Sequence, residues 1–206
     1  MGKGVWPRSG PDPSDQGPSD QQRLLALARA TPWFMQALTH VRALGLPAGC
    51  VGAGAVRNLV WDALHAHPAP SALPDIDVAF FDATDLSPAR DAALQGRLAA
   101  MSPGTPWEVT NQAGVHLWFE RRFGHVVAPL GSLDEAVASW PEYATAVGLR
   151  LDDADRLHVI APHGLDDLFG MLVRRNPARA SLATYRARVA SKRYAQRWPR
   201  VRVVEA

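Results

Sequence analysis

Two short stretches hold the residues best suited to chemistry: Gly52-Ala53-Gly54, inside "VGAGAVRN", and Asp75-Ile76-Asp77, inside "LPDIDVAFFD". Glycines let backbone N–H groups approach a phosphate, and carboxylates two residues apart can hold the cation that accompanies it. On a strand, residues i and i+2 project to one face about 6 to 7 Å apart, so Asp75 and Asp77 can converge on metal while Ile76 and Val78 face a core. Like charges so close repel each other unless a cation offsets them, which points to a divalent ion with oxygen ligands. A polar strand end that happens to be acidic is the bland alternative, and the glycine turn upstream weighs against it.

The turn belongs to neither of two familiar phosphate loops. A dinucleotide fingerprint needs a third glycine where Arg57 stands, although Asp82 would then be placed to meet a ribose. A Walker loop would end in Gly-Lys-Ser/Thr, which is missing here.

The elements around these stretches predict an α+β fold with a small mixed sheet flanked by helices and a helical C-terminus. Ser19 or Asp20 can cap a first helix, and Thr31 with Pro32 begins a second that stops at Gly45. "PAGCVGAGA" reads as a strand entering the glycine turn, followed by a helix over about 55–65. "IDVAFFD" and "WEVTN" read as strands, separated by a helix behind Ser87 and Pro88. "QAGVHLWFERRFG" is assigned to a helix ending at Gly124, and "SLDEAVASW" opens with a Ser-x-x-Glu capping box. "TAVGLRLDDADRLHVIAP" predicts a hairpin whose turn uses Asp152, Asp153 and Asp155. Two helices, "HGLDDLFGMLVRRNP" and "SLATYRARVASKRYAQRW", complete the chain, with Asp166 and Asp167 in the first turn of the former.

With 206 residues and 47% hydrophobic content, the chain can bury one good core. Residues 1–19 are rich in proline and glycine and are expected to be a flexible tail ahead of a domain over 20–206. They lack the apolar stretch of a signal peptide, and no later run is long enough to cross a bilayer, so a cytoplasmic protein without membrane partners is expected. Cys50, the single cysteine, lies in an apolar run and is read as a buried thiol. His65 and His67, two apart on a helix, should point away from one another and make a poor zinc site.

Net charge is only +2, but ten Lys/Arg lie after residue 173 against Glu205 alone. Such a segment is either a solvated helical face or a surface for phosphate or nucleic acid. Tyr185, Tyr194 and Trp198 within it could stack on bases, although their helical spacing favours core.

"GAGAVRNLVWDALH" with "DIDVAFFD" resembles the DNA polymerase β-type nucleotidyltransferases. With "WEVTNQAGVH", "SWPEYATAVGLR", "VIAPHGLDDLF" and the basic closing helix, the chain from about residue 20 to 200 is similar to a small bacterial branch of nucleotidyltransferase-like proteins. The resemblance implies transfer of a nucleoside monophosphate from an NTP to an acceptor that the sequence does not name: RNA, a protein or a small molecule. A nucleotide- or RNA-binding module on the same fold, without turnover, is the alternative.

The resemblance also implies roles for particular residues. Gly52, Ala53 and Gly54, at a helix start, would receive the triphosphate, with Arg57, Asn58 and Asn111 as further nucleotide ligands. Asp75 and Asp77 would hold two Mg²⁺ ions, with Mn²⁺ as a substitute. The third carboxylate is expected on a neighbouring strand, where Glu108 fits. Asn111 lies on the opposite strand face from Glu108, so only one of them can look at the metals, and Glu108 is preferred.

Overall fold

A computed structural model describes residues 17–205. The expected N-terminal tail lies outside the described residues up to position 16.

Ser19 opens α1 (Asp20–Ala30) with a full capping box: its hydroxyl accepts the Gln22 N–H, and the Gln22 side chain accepts the Ser19 N–H at 2.8 Å. Helix α2 (Pro32–Arg42) starts on proline, whose missing N–H needs no partner there. The chain continues through β1 (Cys50–Gly52), α3 (Gly54–Leu64), β2 (Ile76–Phe80), α4 (Pro88–Met101) and β3 (Trp107–Asn111). A short 3-10 turn leads into α5 (His116–Phe123), which Gly124 closes in the left-handed conformation at φ 79°. Ser132 caps α6 (Leu133–Ala138), while the Glu135 carboxylate reaches back to the Gly131 N–H, one residue earlier than the usual reciprocal bond.

The hairpin of β4 (Gly148–Leu151) and β5 (Leu157–Ile160) turns on Asp152, whose carboxylate accepts the N–H groups of Ala154 and Arg156. The helix expected over "HGLDDLFGMLVRRNP" is reduced to one turn, α7 (Asp166–Phe169). Met171 follows in the left-handed region at φ 53°, and β6 (Leu172–Val173) then pairs in parallel with β7 (Arg202–Val203). Tertiary bonds decide this segment: the Leu168 carbonyl accepts the Trp61 indole N–H at 2.7 Å, and Arg174 grips Asp167 at 2.7 Å. The last predicted helix is broken at Arg193 (φ 49°) into α8 (Leu182–Lys192) and α9 (Tyr194–Arg197).

The main sheet is mixed, in the order β3-β2-β1-β4-β5, with β2 and β3 parallel and the other neighbours antiparallel. Alternation sorts its two faces. Val51, Ile76, Val78, Phe80, Trp107 and Val109 join the large core with α1 to α4. Cys50 and Ala79 pack on the other face against Leu133 and Val137 of α6, with Trp140 beside them. Burial pushes the Cys50 thiol up to about 12, which keeps it an unreactive core group. No helix among the described residues is long and apolar enough to cross a membrane.

The C-terminal segment closes the core around α3. Trp198 is fully buried, its indole N–H donates to Asp62 at 2.7 Å, and its ring meets Trp61 edge-on with centroids 5.2 Å apart. Tyr185 and Tyr194 are buried as well, so these three aromatics belong to the core and offer no exposed face to a base.

Candidate functional site

The glycine turn holds its shape under local strain. Ala53 has φ 49° and ψ −116°, a backbone region that side chains disfavour, at a cost of about 1–3 kcal/mol. Its N–H is tied to the Val147 carbonyl at 3.0 Å. Helix α3 begins directly afterwards, so the N–H groups of Gly54, Ala55 and Val56 have no acceptor within the helix. Gly52 has a separate cause: a Cβ there would come within 2.5 Å of the Trp140 ring, so the glycine makes room for an indole.

Asp77 lies directly across the parallel pairing from Glu108. Both leave the sheet on the face opposite the large core, and Asp75 stands just ahead of β2. Burial pushes the Asp77 carboxyl up to about 6, with the charges of Asp75 and Glu108 adding to the rise. None of the ion pairs among the described residues involves any of these three groups. A cavity of about 160 Å³ opens over the face, with Ala53, Asp77, Glu108, Thr110 and Arg188 in its wall. A second cavity of about 240 Å³ shares Asp77, Thr110 and Trp140 with it and continues past Trp118 and Phe119.

The donor set suits a hard divalent cation. It consists of carboxylate oxygens, like-charged and without ion pairs among the described residues, around one group whose ionisation is suppressed by burial and by its acidic neighbours. Among the described residues, no three His, Cys, Asp or Glu side chains gather closely enough to enclose a metal. The carboxylates therefore make an open pair with a neighbour, which leaves room for oxygens from a ligand.

The other sequence candidates are placed differently. Arg57 and Asn58 turn inward and are 2% and 1% exposed. The Arg57 guanidinium donates to the Asn58 side-chain oxygen at 2.8 Å and sits 5.2 to 5.7 Å from the rings of Trp61, Tyr194 and Trp198. It lies beneath the turn, its Nη2 only 3.7 Å from where a Gly54 Cβ would be, so it supplies positive potential there without lining the cavity. Desolvation lowers its pKa, and the Arg57 Nε and Asn58 Nδ2 have no partner among the described residues. Asn111 faces away from Glu108 and pins the loop after β2: its side chain accepts the Asp82 N–H and donates to the Asp82 and Asp85 carbonyls.

His65 and His67 do not diverge as helical spacing predicts. Helix α3 ends before them, Ala66 takes φ 52°, and the rings come within 5.7 Å. Both are used structurally, His65 accepting the Arg200 N–H and His67 lying 3.0 Å from Asp62. The basic C-terminal segment meets more acid than its own stretch contains, because Arg174 pairs with Asp167 and Arg188 with the buried Glu142.

Two residues at the site escape sequence reading, and a third is read only as part of the basic C-terminal segment. Trp140 and Glu142 lie in a loop with no periodic pattern, and their roles arise from contacts distant in sequence. Arg188 does carry a signal, since Arg188 and Lys192 share one helical face at i, i+4, but nothing local shows what that face meets.

The sequence matches the family described as Nucleotidyltransferase over residues 39–203. It is similar to a protein of 30% identity whose NMR structure is described as revealing a CCA-adding enzyme head domain, with a TM-score of 0.77 over 91% of this chain and 97% of that one. It also shares the fold of the Thermotoga maritima CCA-adding enzyme complexed with tRNA, at 14% identity and a TM-score of 0.51 over 89% of this chain. A CCA-adding enzyme solved with CTP gives 14% identity and 0.53 over 91%. This chain spans 42% of each of those two longer chains. No curated protein matches the sequence at a significant level. The family match, covering most of the chain, and the 30% identity along nearly the full length of the head domain agree with the geometry of turn and sheet: this chain belongs to the nucleotidyltransferase family.

Proposed function

We propose that this chain is a metal-dependent nucleotidyltransferase that moves a nucleoside monophosphate from an NTP to a hydroxyl acceptor. One observation carries the reading: Asp77 is pressed between burial and two other carboxylates, with no ion pair among the described residues to relieve it, beside a strained turn that opens a helix. The free N–H groups at the start of α3, with the Arg57 cation beneath them, suit the β- and γ-phosphates. Asp77 and Glu108, which share the cavity, with Asp75 just ahead of the strand, would supply oxygen donors for Mg²⁺, and ligand oxygens would complete what three carboxylates do not enclose. When bound, the metal neutralises phosphate charge and lowers the pKa of the attacking hydroxyl. The residues themselves orient the triphosphate for in-line attack, which is positioning and electrostatics more than covalent chemistry. CCA-adding enzymes of the same fold have been solved with CTP, with ATP and with tRNA, and this supports an NTP as donor and the 3′ hydroxyl of an RNA as the first acceptor to try.

A nucleotide-binding module without turnover is the second reading. The observation favouring it is the absence, among the described residues, of a closed three-ligand metal cluster.

The test is incubation of the full chain with Mg²⁺ and each labelled NTP, supplying RNA with a free 3′ end and, separately, cell extract as acceptors. Labelled product with pyrophosphate release is expected, and Asp75→Asn or Asp77→Asn should lower the rate at least ~10³-fold, about 4 kcal/mol of barrier, in a folded protein. No pyrophosphate from any NTP, or Asn variants as active as the parent, would reject the enzyme reading.

A further inference from the structure

Helix α8 contributes a cation to the cavity that holds the carboxylates. Arg188 lines the same cavity as Asp77, Glu108 and Ala53, and Lys192, one turn further along the same helical face, also acts on Asp77 by its charge. Arg188 is not free to wander. Its Nε donates to Glu142 Oε1 at 3.0 Å and its Nη2 faces Oε2 at 3.5 Å. Glu142 is 1% exposed and is itself fixed by the Tyr194 hydroxyl at 3.1 Å and the Thr145 hydroxyl at 3.2 Å. One edge of the guanidinium is thus consumed by a buried carboxylate, leaving Nη1 for a second anion.

If Arg188 served only to neutralise Glu142, nothing would require the pair to border the cavity holding Asp77. If it served only to offset Asp77, a direct pair would be expected, and none forms among the described residues. The cation instead lines the same cavity as carboxylates with which it does not pair, an arrangement suited to an anion that arrives carrying its own metal.

We propose that Arg188, positioned by Glu142 and assisted by Lys192, is a binding residue for the polyphosphate end of the nucleotide, so that α8 closes the phosphate site that the α3 turn opens. This rests on the nucleotidyltransferase reading for the identity of the ligand, but its test does not depend on turnover. Calorimetric titration of the full chain with inorganic tripolyphosphate, in Mg²⁺ at low salt, measures the wall without any nucleotide to turn over. The parent should bind. Arg188→Gln should weaken binding at least tenfold. Lys192→Gln should weaken it several-fold, and Arg188→Lys should fall between the parent and Arg188→Gln, because one ammonium cannot offer the forked edges of a guanidinium. Because Arg188→Gln leaves Glu142 buried without its cation, the double variant Glu142→Gln/Arg188→Gln, which removes both charges, is measured beside it and should show the same tenfold loss.

Binding that depends on Arg188 in a parent without transfer activity supports the wall and removes only the enzyme. Transfer by the parent, combined with unchanged tripolyphosphate affinity in the folded double variant and in Lys192→Gln, overturns the wall and leaves the enzyme standing. A parent that binds no tripolyphosphate even at low salt overturns it too.

Discussion

Asp77 lines the cleft and Glu142 lies buried behind Arg188, and the fold treats these two carboxylates in opposite ways. Glu142 is the more deeply buried, yet it receives hydrogen bonds from Tyr194, Thr145 and Arg188. Asp77 has no such donor among the described residues and two acids as neighbours. Burying a charge is costly unless it is paired and hydrogen-bonded, so Glu142 reads as scaffold. Asp77 has only the unpaired charges of Lys192 and Arg188 to offset it, which leaves it open to a proton or a cation from outside, and that is how a site differs from a core in a single chain.

The comparison is broken most severely at Glu142. Glu142→Ala strips the partner from Arg188 and from the Tyr194 hydroxyl, and chemical denaturation should show a loss of about 3–5 kcal/mol. A change under 1 kcal/mol would mean that the network holds nothing together. Gly52→Ala should come next, because its methyl would lie 2.5 Å from the Trp140 ring. A loss of about 1–3 kcal/mol is expected, with an altered tryptophan fluorescence spectrum as the indole moves.

Asp77→Asn should do the reverse of Glu142→Ala and raise stability. A carboxyl whose folded pKa is about 6, above its unfolded value, binds its proton more tightly in the native state. Its destabilising contribution is therefore absent below the ordinary carboxylate range, grows as pH rises toward 6, and is complete above it. Asp77→Asn should gain about 1–3 kcal/mol at pH 8, and the gain should vanish toward pH 4. Mg²⁺ should narrow the gap at pH 8 by stabilising the parent more than the variant. A variant less stable than the parent at pH 8 would place Asp77 among the structural acids with Glu142.

How much of this could be read from the sequence depended on the range of the forces involved. The glycine turn, the Asp75-Asp77 spacing and the strands "IDVAFFD" and "WEVTN" are local patterns, and strand alternation alone separates the face of Glu108 from that of Asn111. The direction of Arg57 was not legible. Its position in α3 allows it to point either at the turn or beneath it, and the aromatic cage that draws it in comes partly from residues 194 and 198. The short pairing of β6 with β7 was hidden in the same way, since two-residue strands carry no period and the apolar run "LFGMLV" suits a helix equally well. Trp140 over Gly52, and Glu142 beneath Arg188, exist only once distant segments meet.

Trp198 gives the order of assembly a particular shape. Strand β1 pairs with β2 and with the much later β4, and α3 is sealed only when the Trp198 indole reaches Asp62 and Trp61. On a ribosome the carboxylate strands β2 and β3 emerge well before the residues that roof α3. A nascent chain stalled ahead of position 198 would thus display a half-built cleft over an open apolar helix, an intermediate that proteases and chaperones recognise.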